Sequence, residues 1–208
     1  MLCDLFVDPA GHGAGSGRAM LAELWRDAPR RMTFSSLHAN AMPLYASFGL
    51  DAWWPLLYLR GDVRSLPRAA GWRAASASPD AAGELELRWT GADRSADYRG
   101  WAARPHAAVL TASRDGQIMA AGAVVGPGIE HLVISPAADE AAAVAAVTEV
   151  LAAADPPGGI ARVALPAPHP AVRPLLAARW RLGEFDLFMA TEPGLLDPRC
   201  AVPSPGQA

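Results

Sequence analysis

One order of elements is written twice in this chain, and that repeat constrains the fold more than any other feature. Leu2 to Val7 reads as a strand, and a glycine-rich loop from Gly11 to Gly17 follows. Arg18 to Asp27 then has Met20, Leu21, Leu24 and Trp25 at helical spacing. A strand (Arg31 to Ser36), a helix (Ala39 to Phe48) closed by Gly49, and a strand (Trp53 to Leu59) complete the first copy. The second copy runs through Glu130–Ile134, Asp139–Ala154, Ile160–Leu165, Ala171–Arg179 and Glu184–Ala190. Val7-Asp8-Pro9-Ala10 falls on Ile134-Ser135-Pro136-Ala137, and Leu24 then falls on Leu151 without a gap. After a shift of four residues, Arg31 to Phe34 meets Arg162 to Leu165, His38 meets His169, and Pro43-Leu44 meets Pro174-Leu175. A repeat of this length implies a duplicated domain rather than a solenoid.

The copies are unequal. Ahead of its matching strand the second carries an alternating segment read as a strand (Glu84–Trp89), a short helix (Ala96–Ala103) and a hairpin. The hairpin joins Ala107–Ser113 to Gln117–Val125 through Arg114-Asp115-Gly116, a strong turn signal. The first copy begins almost at the matching strand and so reads as a domain cut short at its N-terminus. The expected organisation is residues 1–60, a linker over 61–82, a second domain over 83–192, and a Pro-rich extended tail over 193–208.

Composition narrows the function classes. Apolar residues make up 51% and charged residues 19% of 208 residues, enough for a real core. The net charge is −3 and every one of the 18 basic residues is Arg, a balance that argues against general nucleic-acid binding. No apolar run reaches a membrane-spanning length, and Asp4 and Asp8 stand where a signal peptide carries positive charge. The expected compartment is the cytoplasm. Cys3 and Cys200 form no ligand cluster, and no metal is expected.

The glycine loop carries the chemistry. Phe6-Val7-Asp8-Pro9-Ala10-Gly11-His12-Gly13-Ala14-Gly15-Ser16-Gly17-Arg18 joins a strand to a helix. Glycines permit close backbone approach, and a helix N-terminus favours phosphate. There is no G-x-x-x-x-G-K-[ST], and glycines 11, 13, 15 and 17 never complete G-x-G-x-x-G, so neither a P-loop nor a dinucleotide fold is supported. What remains, V-x-P followed by [Q/R]-x-x-G-x-G/A opening a helix, resembles the acetyl-CoA loop of the GCN5-related N-acetyltransferases. His12 takes the Gln/Arg position, and Gly15 and Gly17 the glycine positions. Ser36 to Leu50 resembles the same family's N-x-x-A/P-x-x-x-Y-x-x-x-G-F region through Asn40, Tyr45 and Phe48-Gly49.

The resemblance implies an α/β fold with a mixed sheet and two acyl-CoA N-acyltransferase-like domains, the first incomplete. It also implies acetyl transfer from acetyl-CoA to a small-molecule or peptide amine. In that scheme the amides of His12, Gly13, Ala14, Gly15, Ser16, Gly17 and Arg18 hold the CoA pyrophosphate. Phe6 and Val7 pair by main chain with the pantetheine arm, Asn40 contacts it, and Tyr45 protonates the leaving thiolate. The second copy departs from the pattern. Gly15 and Gly17 become Ala142 and Val144, Asn40 becomes Ala171, Tyr45 becomes Leu176, and Asp139-Glu140 repel pyrophosphate. It is expected to act as scaffold or acceptor wall.

Plainer readings stand beside these. Tyr45 and Phe48 on a helix face also suit a core, His12 suits an exposed loop, and His38 and His169 suit bonding at a helix start. The alternative to an enzyme is a non-catalytic CoA-binding or structural protein of the same fold. No nucleic-acid or membrane partner is expected. The short first copy leaves a strand edge open, so a homo-oligomer is expected.

Overall fold

The computed structural model describes Leu2, Leu5, Asp8 and residues 14–203. Its strands form a mixed sheet, and the chain divides into two compact units. Unit 1 is Met1–Leu56 with Phe185–Leu196; unit 2 is Leu57–Glu184 with Asp197–Ser204.

Unit 1 contains α1 (Ser16–Leu24), β1 (Met32–Ser35), α2 (Ala41–Ala46), the first half of β2 (Asp51–Asp62) and the second half of β8 (Arg181–Ala190). Its strand order is β1–β8–β2. β8 runs antiparallel to β1, with Met32 opposite Ala190 and Ser35 opposite Leu187. Leu2 makes a parallel bridge to Thr33 and donates its amide to the Met32 carbonyl at 3.0 Å. The core gathers Leu2, Leu21, Trp25, Tyr45, Leu50 and Met189. Beside it the Trp54 and Phe188 rings stack at 4.3 Å. Arg31 caps the carbonyl ends of both helical segments. It donates to Trp25 O at 3.2 Å, Ala28 O at 2.7 Å and Phe48 O at 3.1 Å.

Unit 2 holds the rest: β3 (Trp72–Ser76), α3 (Pro79–Thr90), α4 (Ser95–Ala102), β4 (Ala107–Arg114), β5 (Gln117–Val125), β6 (Gly128–Ile134), α5 (Glu140–Ala153), β7 (Ile160–Pro166), α6 (Val172–Ala177) and β9 (Ala201–Val202). Its strands run β8–β2–β7–β6–β5–β4–β3, and β9 pairs with β6. The last strand of each repeat therefore lies beside the other repeat's last strand. Gly61 on β2 permits this at one point, since a Cβ there would sit 2.3 Å from the Trp180 ring. The hairpin is as expected: Asp115 and Gly116 both have positive φ, the two-residue turn that matches strand twist.

Three expectations are corrected. Glu84–Trp89 is not a strand but the second half of α3. Ser78 accepts from the Ala81 amide at 3.1 Å, Pro79 opens the helix, and Gly91 at φ 77° closes it. The Glu-Leu alternation hid a helical face in which Ala82, Gly83 and Glu86 are buried. The span 61–82, read as a linker, contains a 3-10 turn (Val63–Ser65), β3 and the start of α3. Leu66 is in the core, and Arg68 pairs with the buried Glu149 on α5. The tail is partly ordered too, with a 3-10 turn at Pro193–Leu195 and then β9.

Candidate functional site

In unit 1 the glycine loop ends where α1 begins. Gly15 is the N-cap of α1 with φ +82°, a left-handed conformation that glycine takes without strain. Among the described residues, a Cβ at Gly15 would meet nothing within 4 Å. Among the described residues no side chain caps α1, and its first turn has no acidic residue. Its leading amides and positive dipole end thus point to a position suited to an anion. Ala14, Gly15, Ser16 and Arg18 are exposed and Gly17 is half-buried. Phe6, Val7, His12 and Gly13 lie outside the described residues.

Arg18 does not simply add diffuse charge. Its guanidinium donates to Ser47 Oγ at 2.9 Å and lies 5.6 Å from the Phe48 ring centre, fixing it against the end of α2. Ser47 was not legible as a partner, being 29 residues away. Asn40 is the N-cap of α2, is exposed, and makes no side-chain cap bond. Tyr45 is 7% exposed, its ring packed among the unit 1 core and 6.2 Å from Trp25. That ring is core, and any chemical part it plays is confined to its hydroxyl.

The paired histidines do one job in both repeats. His38 Nδ1 accepts from the Asn40 amide at 3.3 Å, and His169 Nδ1 accepts from the Ala171 amide at 3.1 Å. Each opens a short helix, as their recurrence suggested. His169 is 2% exposed, and burial pushes its imidazole down to about 4 despite the nearby Asp197 carboxylate.

The corresponding place in unit 2 is built differently. The repeat sets Asp139 on His12, and α5 starts at Glu140, three residues before the position that matches Ser16 at the start of α1. Asp139 accepts from the Ala142 amide at 2.7 Å, and Glu140 follows in the first turn. The end of α5 is therefore already capped by one carboxylate and screened by another. A cavity of about 830 Å³ lies here, lined by Glu140, Val144, His169 and Arg173 among others. Glu140 on its wall disfavours a pyrophosphate.

A second cluster in unit 2 escaped sequence reasoning. Tyr98 donates to Glu86 Oε2 at 2.8 Å, and His131 Nε2 lies 2.9 Å from the same oxygen. All three residues are buried. Burial alone would raise the Glu86 carboxyl, but the bonds from His131 and Tyr98 outweigh it and hold it below the usual range. These residues come from α3, α4 and β6, and no local pattern joins them. Among the described residues no group of His, Cys, Asp and Glu could hold a metal ion, and no helix is long and apolar enough to cross a membrane.

No family model matches this chain, and no curated protein matches it. Solved structures do. A candidate acetyltransferase from Pyrococcus horikoshii superposes with a TM-score of 0.68 at 17% identity, over 95% of this chain and 67% of that one. A GCN5-related N-acetyltransferase from Sphaerobacter thermophilus gives 0.56 at 14% identity, over 88% and 70%. One from Kribbella flavida gives 0.53 at 14%, over 88% and 76%. The fold is that of the GCN5-related N-acetyltransferases. At these identities the likeness speaks for the fold and leaves activity to the site.

Proposed function

We propose that this chain is an N-acetyltransferase that moves an acetyl group from acetyl-CoA to an amine, with the site in the first repeat. The observation that carries the proposal is the start of α1, where a left-handed glycine, its Cβ position clear of every described residue, leads into a helix that no described side chain caps. These residues fit a pyrophosphate, whereas the carboxylate-capped start of α5 does not. The amides of His12 to Arg18 hold the pyrophosphate, the main chain of Phe6 and Val7 pairs with pantetheine, and Asn40 reaches the same arm. Arg18, held by Ser47 and Phe48, keeps a positive charge beside the loop.

Acetyl-CoA, when bound, supplies an activated acyl carbonyl. The amine nitrogen would bond to the carbonyl carbon as the C–S bond breaks and would give up its proton to water, while backbone amides would polarise the carbonyl oxygen and the Tyr45 hydroxyl would give a proton to the departing sulfur. A thiol-release assay with acetyl-CoA and a panel of primary amines and N-terminal peptides tests the proposal. We expect thiol release that depends on one amine class. CoA binding without turnover across the panel would favour the non-catalytic reading, for which the buried ring of Tyr45 is the supporting observation.

A further inference from the structure

In unit 2, β7 runs parallel to β6 but pairs with it at a single register position, Gly128 opposite Arg162. Beyond that point the two strands part. The opening is filled by the chain's own tail. β9 lies antiparallel on β6, with Leu132 opposite Val202 and Val133 opposite Ala201, and the Ile134 amide donates to the Cys200 carbonyl at 2.8 Å. Val202 is 1% exposed and belongs to the core cluster with Leu132, Ile134 and Val163, and Pro203 is buried beside it. Asp197 starts the segment by accepting at its carbonyl from the Cys200 and Ala201 amides, both at 3.2 Å.

The repeat gives this contact its meaning. Ile134 is the counterpart of Val7, whose main chain the proposed function assigns to the pantetheine arm. In unit 1, Leu2 makes a parallel bridge to Thr33. We infer that residues 197–203 are a built-in ligand of unit 2. They are a peptide strand that takes the β6 amide its counterpart in the first repeat offers to pantetheine, and they close the second repeat by occupancy. The position of the tail on β6 stands on unit 2 alone; only its equivalence to pantetheine rests on the acetyl-CoA reading. The site is therefore a strand-addition site for a short extended peptide with a small residue and then a β-branched one, here Ala201-Val202.

The test uses a chain ending at Leu196 and a labelled peptide of residues 197–203, Asp-Pro-Arg-Cys-Ala-Val-Pro. Fluorescence anisotropy should show the peptide binding the shortened chain. A tethered tail competes at an effective concentration of about millimolar, so the full chain should bind the peptide roughly 10²-fold more weakly. A peptide carrying Val202→Asp should not bind the shortened chain, because the charge enters the core cluster. If the shortened chain does not fold alone, the peptide added during refolding should restore its circular dichroism and melting transition. A folded shortened chain that ignores the peptide, equal binding by the full chain, or refolding that the peptide fails to rescue would each overturn the inference. None of these readouts uses CoA, so a failure of the acetyl-CoA reading leaves them intact and is told apart from theirs.

Discussion

Helices α1 and α5 occupy the same place in the two repeats and have opposite characters. In α5 the residues Val147 and Leu151 are fully buried, because β3, β4, β5 and β6 of unit 2 pack on the helix. Their counterparts on α1, Met20 and Leu24, are 42% and 58% exposed. α5 begins under an Asp139 cap, whereas α1 begins at a left-handed glycine. One helix has been given to the core and the other left open at its N-terminus. A helix start can serve the fold or a ligand, and the choice turns on the residues at two or three positions.

A matched pair of truncations tests the difference between α1 and α5. Leu151→Ala should cost about 2–5 kcal/mol in a urea titration, the usual range for emptying a buried leucine site. Leu24→Ala should stay within roughly 0.5 kcal/mol, as an exposed site does. Equal losses would mean that α1 is as covered as α5 in solution.

The histidine pair sharpens it through pH. His169 is held neutral in the fold at about 4, while the unfolded chain takes up that proton near pH 6.5. Between these values the unfolded state binds more protons. The stability contributed by the neutral ring is therefore present above about pH 6.5 and is lost as pH falls toward 4. Between pH 7 and pH 5 the loss should be about 2 kcal/mol, read by urea titration at each pH. His169→Asn, whose amide oxygen can replace Nδ1 as acceptor, should flatten that slope. An unchanged slope would remove His169 as its source.

Much of the fold was legible because the repeat is held by residues with local duties. His38 and His169 bond the amides two residues on, and Gly49 at φ 81° ends α2 as its position suggested. The hairpin was equally plain, since Asp115-Gly116 needs positive φ twice. The misreading of α3 came from weighing the alternation of Glu84 to Trp89 above the Ser78-Pro79 helix start just before it. Other features had no local signal at all. A two-residue strand such as β9 carries no period, and its partners Leu132 and Val133 lie far back along the chain. Glu86 and His131 are 45 residues apart, and Arg18 and Ser47 are 29 apart. Nor does alternation say which strand a final strand will join, so the β1–β8–β2 order had to come from the structure.

Smaller effects test the open side of α1. Tyr45→Phe should lower kcat about tenfold or more while CoA affinity holds, because a proton donor matters when thiolate charge develops. Equal kcat would leave Tyr45 to its core role beside Trp25. The exposed Met20 and Leu24 also make self-association the expected state at high concentration. Light scattering should show Met20→Glu with Leu24→Glu shifting the chain toward monomer, and a parent that is already monomeric would remove that expectation.

On the proposed reading, the first repeat takes CoA and the second does not. Calorimetric titration of the full chain with CoA addresses it directly, beside the Gly15→Val variant. A β-branched residue forced into the left-handed region at Gly15 is strained by about 1–2 kcal/mol or more and crowds the backbone against the pyrophosphate. A single CoA site per chain is expected, lost in Gly15→Val while the melting transition remains cooperative. Two sites per chain, or undiminished affinity in Gly15→Val, would contradict it.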